Sequence, residues 1–119
     1  MGKIILKKYK GTIVQESLRD DGLLNGFEVI AYKVTKENKP SARWHLVTVL
    51  ATEKNIKKLS KNIKNAWYAH FWNGDDLIAV FPNKVFRFKH SNISTWKEAV
   101  DYGKSLGIPE EQLDFLIDE

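Results

Sequence analysis

Cysteine is absent from this 119-residue chain. Disulfides, thiolate zinc sites and cysteine nucleophiles are thereby excluded, and the composition agrees with a reducing compartment. Proline is scarce at three residues and glycine numbers seven, and no linker or low-complexity segment interrupts the chain. Long hydrophobic runs are also missing: none approaches the roughly 20 apolar residues of a membrane span. The opening MGKIILKKYKG holds only Ile4 to Leu6 as an apolar run between lysines, short of the ~7–15 residues of a secretory leader. Its Met-Gly start lacks the serine or threonine of a myristoylation signal, because Leu6 stands at that position. A cytoplasmic protein with no membrane partner is expected.

Chemical signatures are equally sparse. No glycine has the spacing of a phosphate-cradling loop, and neither a G-x-S-x-G elbow nor a His-Glu-x-x-His helix occurs. The three histidines, His45, His70 and His90, are far apart in sequence, so only the fold could group them. No metal and no cofactor is expected.

What is present is ordinary globular composition, 43% hydrophobic and 29% charged, enough for one core in a single domain spanning 1–119. The net charge of +4 favours solubility and steering without selecting a ligand.

The pattern along the chain predicts six strands and two main helices. Lys10 to Leu18 is rich in β-branched residues and runs into the turn-forming RDDG. In Phe27 to Thr35, strict alternation would set Phe27, Val29 and Ala31 on one face and Glu28, Ile30, Tyr32 and Val34 on the other. The polar KENKPSA leads to Arg43 to Leu50, apolar on both faces and so interior to a sheet. Thr52 caps a helix over about 53–65, with Ile56, Leu59 and Ile63 as its apolar stripe. Trp67 to Trp72, Leu77 to Phe81 and Val85 to Phe88, joined at Asn73-Gly74 and Pro82-Asn83, form an antiparallel meander. Thr95 and Glu98 match a capping box for a helix over about 96–106 that buries Trp96, Ala99, Val100 and Gly103. Gly107 and Ile108 fit a left-handed helix stop, and Pro109 begins a short C-terminal helix. The expected fold is α+β: a mostly antiparallel sheet of about five to six strands with the two helices packed on it, in two layers.

The segments KGTIVQESL, WHLVTV, WYAHF, VFPNKVFRF and YGKSLGIPEEQLDF, in this order and spacing, resemble a family of small uncharacterised single-domain prokaryotic proteins. The resemblance runs from about Lys10 to Phe115. It implies a single domain of this length and brings no established activity, cofactor or catalytic residue.

Three places carry chemistry worth weighing. Tyr68, His70 and Trp72 share one strand face, and His70 next to Asp75 and Asp76 is the one acid–base candidate in the chain. Its competing explanation, which we favour, is a packed histidine beside a solvated turn whose acids bond the turn backbone. Fourteen aromatics (four Trp, four Tyr, six Phe) fit a core better than a base-stacking sheet face. Lys54, Lys57, Lys58, Lys61 and Lys64 line the outer side of the first helix. Of these, Lys57, Lys58, Lys61 and Lys64 would contact phosphates if the chain bound nucleic acid, although such a face also simply solubilises an amphipathic helix. With 16 lysines against 3 arginines, bidentate phosphate or base recognition is disfavoured. The leading expectation is a non-enzymatic binding or interaction module, its contact surface at the sheet edges or around Trp67 to Trp72, with homo-oligomerisation one outcome. A nucleic-acid-binding domain and a small enzyme using His70 are the alternatives.

Overall fold

The structure, a computed structural model, describes residues 7–117; the Ile4 to Leu6 run weighed above lies outside the described residues. Six strands form one antiparallel sheet: β1 (Tyr9–Val14), β2 (Glu28–Val34), β3 (His45–Ala51), β4 (Ala69–Asn73), β5 (Asp76–Phe81) and β6 (Lys84–Lys89). Their spatial order is β2-β3-β1-β4-β5-β6, so β3 is interior as its two apolar faces require. Two helices, α1 (Glu53–Ser60) and α2 (Lys97–Ser105), complete the α+β fold.

The helices lie on opposite faces, not in the single layer expected. Alternation along β5 is the reason. Ile78 and Val80 join the α1 side, with Ile13, Val49, Phe71, Ile56 and Leu59. Leu77, Ala79 and Phe81 join the α2 side, with Phe88, Ala99, Ile108, Leu113 and Phe115. A strand apolar at five successive positions, Leu77 to Phe81, needs cover on both faces. The region β4–β5–β6 is therefore three layers thick, and the C-terminal segment after α2 supplies part of the second cover.

The turns show how local chemistry sets these elements. Thr52 caps α1 in a reciprocal box with Asn55, one of the strongest start signals available to a helix. The β4–β5 hairpin pairs Asn73 with Asp76, so its loop is Gly74-Asp75, one residue later than expected, with Gly74 at φ +57. Asn83 (φ +61) takes the left-handed position after Pro82, and its amide donates to the Ser60 carbonyl (2.7 Å) at the end of α1. After α2, the Gly107 amide donates to the Lys104 carbonyl and the Ile108 amide to the Gly103 carbonyl, with Gly107 at φ +86. That is the expected glycine stop with its buried apolar follower.

Other boundaries differ for tertiary reasons. The first strand ends at Val14, not Leu18, because the Ser17 hydroxyl donates to the Val14 carbonyl (2.6 Å) and turns the chain. The first helix ends at Ser60, not near 65: Ile63 leaves the helix to bridge Leu18, and the Lys64 amide donates to the Ser17 carbonyl. Ile63 is still buried, as the apolar stripe required. The Thr95–Glu98 capping box does not form. Thr95 instead bonds the Asn92 carbonyl, and Asn92 caps a 3₁₀ turn, Ile93–Trp96, that leads into α2. Finally, β2 does not alternate strictly. Its register against β3 skips Ile30, a bulge that sets Val29 on Val49 and Tyr32 on Val47. Val29 and Tyr32 thus share a face, where alternation had separated them.

Candidate functional site

Tyr68, His70 and Trp72 are brought together as strand periodicity requires, with ring centroids 6.3 Å apart for Tyr68–His70 and 5.5 Å for His70–Trp72. Their face lies under the C-terminal segment. Phe115, fully buried at φ +44, sets its ring edge-on to both Tyr68 and His70. The Tyr68 hydroxyl donates to the Gln112 carbonyl, and burial pushes its phenol well above the usual range. His70 Nε2 lies 2.6 Å from the Leu116 carbonyl. A carbonyl only accepts, so Nε2 carries the proton and Nδ1 is the basic nitrogen. Burial lowers the His70 pKa, opposed by the Leu116 hydrogen bond and the charge of Asp114. A cleft of about 390 Å³ lies beside this face, with Thr12, Trp44, Trp67, Tyr68, His70 and Gln112 among its lining residues.

The aspartates that follow the strand serve elsewhere. Asp75 accepts from both the backbone N–H and the hydroxyl of Ser91 (2.7 Å each), which lowers its pKa. Asp76 holds Lys7 and Lys89 together, and those two hydrogen bonds bring its carboxyl down to about 2. Both are turn and strand-end anchors; neither is a hydrogen-bond partner of His70.

A histidine–carboxylate pair does occur, at His45. Glu16 accepts from the His45 backbone N–H (2.8 Å) and meets its Nδ1 at 2.5 Å. Burial raises the Glu16 pKa, but the His45 bonds outweigh it and the net shift is downward. Sequence gave no sign of this pair, since the two residues are 29 positions apart. It ties the start of β3 to the turn after β1, with the Tyr32 ring 6.0 Å from the imidazole. His90 belongs to neither group: its amide donates to the Asp75 carbonyl and its ring tilts against Trp96. Among the described residues no cluster of three or more His, Cys, Asp or Glu could hold a metal ion, and no helix is long and apolar enough to cross a membrane.

Lys57, Lys58, Lys61 and Lys64 lie exposed on α1 and the turn after it. Lys64 donates to the Glu16 carbonyl (3.1 Å). Lys54, Lys57, Lys58 and Lys61 form no ion pair among the described residues.

The largest exposed apolar feature among the described residues is one that periodicity misplaced. All seven residues of β2 are exposed. Of the seven large apolar side chains that the described residues leave at the surface, four are on β2 (Val29, Ile30, Tyr32, Val34) and a fifth is Trp44, one residue before β3. Tyr32 is 58% and Val29 49% exposed. Among the described residues β2 is also an edge, hydrogen-bonded to β3 alone. The opposite edge differs: β6 presents Lys84, Arg87 and Lys89 to solvent while Phe88 is buried, the charged defence that keeps sheet edges from pairing. On β2 that defence is reduced to Glu28 and Lys33.

Among the described residues, these features define an α+β domain with one armoured sheet edge and one open apolar edge. No protein-family model, no curated protein and no solved structure matches the chain.

Proposed function

We propose that the chain is a small cytoplasmic, non-enzymatic interaction module whose contact surface is the β2 edge with the neighbouring Trp44. The observation that carries this reading is the unguarded seven-residue edge strand bearing Val29, Ile30, Tyr32 and Val34 at the surface. An exposed apolar edge is a template for another chain, and soluble proteins retain few of them without a use. The acid–base candidate adds little support for an enzyme: among the described residues no carboxylate is bonded to the His70 ring, and the Leu116 carbonyl, which holds Nε2–H, leaves Nδ1 alone for proton transfer. The resemblance to small uncharacterised prokaryotic proteins adds no activity that would favour catalysis.

A photo-crosslinking amino acid at Tyr32 or Val34 tests this reading against one at Lys57. In the cells of origin, a defined adduct, identified by mass spectrometry, is expected from the β2 positions and none from α1. Adducts from Lys57 alone would contradict the reading.

A second reading has one observation of its own, the unpaired lysines of α1. A nucleic-acid-binding face through Lys57, Lys58, Lys61 and Lys64 would show strongly salt-dependent retention. Reversing Lys57, Lys58 and Lys61 to Glu abolishes that retention if this reading holds, and leaves it unchanged if the lysines only solvate the helix.

A further inference from the structure

We propose that the partner of β2 is a second copy of this chain. Two β2 strands pair antiparallel about a two-fold axis, with Glu28 opposite Lys33 and Val29 opposite Tyr32. The proposal rests on the interaction reading above and names the occupant of its edge.

Symmetry makes this register a strong condition. A two-fold axis perpendicular to a sheet leaves every side chain on its own face, and residues directly opposite one another share a face. In a regular strand, residues share a face only when an even number of positions separates them. Glu28 and Lys33 are five apart, and Val29 and Tyr32 three apart, so a regular β2 could not bring either pair together across the axis. The bulge removes the obstacle. Glu28 pairs with Leu50 and Lys33 with Leu46, four positions apart on β3, so both lie on one face. Val29 pairs with Val49 and Tyr32 with Val47, two apart, so both lie on the other. With Ile30 as the extra residue, one symmetric register satisfies all four residues, and each pair then occurs twice.

The charges fit the same arrangement. Lys33 forms no ion pair among the described residues. Glu28 is 2.6 Å from Lys8 through Oε1, which leaves Oε2 for the incoming Lys33. Pairing through β6 would instead set lysines and arginine against each other. The β2 pair is closed: it uses both open edges and leaves the two armoured edges outside, so it does not propagate into a fibre. A seven-residue strand spans about 23 Å, which puts the contact at the small end of specific interfaces.

Sedimentation equilibrium of the whole chain from about 5 µM to 1 mM tests the proposal. The expected result is a monomer–dimer equilibrium weakened about tenfold or more by Tyr32→Lys. Glu28→Lys and Lys33→Glu each set like charges opposite one another twice and weaken the dimer about tenfold. The combined E28K/K33E variant restores both opposite-charge pairs and returns to within about threefold of the unmodified chain. Circular dichroism checks that each variant is folded, which these exposed positions favour. A dimer indifferent to Tyr32→Lys, or a double variant weaker than either single one, overturns the proposed pairing. A chain monomeric at 1 mM overturns the second copy as partner; the crosslinking result from β2 then decides separately whether the edge serves another protein or none.

Discussion

The two halves of the sheet have the same strand pairing and opposite fates. Around β4, β5 and β6 both faces are covered, by α1 on one side and by α2 with the C-terminal segment on the other. Around β2 the α1 side thins out, the other side is uncovered, and every residue of the strand is exposed. The difference teaches where the folding energy resides. The covered half holds Phe71, Phe81 and Phe115, all fully buried, and the open half can meet a partner without giving up that core.

Substitutions that cross this divide should separate by several kcal/mol. The largest effect is expected for Phe115→Ala, about 3–5 kcal/mol in urea unfolding, since it empties a fully enclosed aromatic site. Next comes Gly11→Ala on β1, at the seam between the halves. An added Cβ would lie 2.3 Å from Phe71 Cδ2 and 2.6 Å from the His70 carbonyl oxygen, an overpacking worth about 1–3 kcal/mol. Smaller still is a pH effect at His70. Its folded pKa is lowered below the ordinary 6.5, chiefly by burial, so the unfolded chain binds the proton more readily. Stability is full above about pH 6.5, falls as pH drops below it, and levels off beneath the folded pKa. His70→Gln should flatten that part of the pH–stability curve; an unchanged slope would place its origin elsewhere. The smallest effect is expected in the open half, where Tyr32→Lys should alter monomer stability by no more than about 0.5 kcal/mol. A loss comparable to that of Phe115→Ala would erase the contrast between the halves.

How much of this was legible depended on the range of the forces involved. Signals carried by adjacent residues read directly: the Thr52 cap, the Pro82-Asn83 turn and the Gly107 stop are local backbone chemistry. The meander and the α+β class followed from apolar periodicity. Features set by distant partners did not read. Nothing near Ile63 announces that it leaves α1 to bridge Leu18, and the Thr95–Glu98 pattern looked like a cap until Asn92 supplied one earlier. The bulge at Ile30 is hidden because Val29, Ile30 and Ala31 fit a regular strand equally well. The surroundings of His70 were illegible for a further reason: its partner is a backbone carbonyl 46 residues away, and a carbonyl carries no residue-type signal. Glu16 and His45 escaped notice in the same way, by separation along the chain.

Hydrogen exchange measured as a function of protein concentration tests the account most directly. The β5 amides should be protected at every concentration. The amides on the free edge of β2 should exchange rapidly at about 5 µM and gain protection as the concentration approaches 1 mM. Free-edge β2 amides whose exchange does not change over that range would contradict the account.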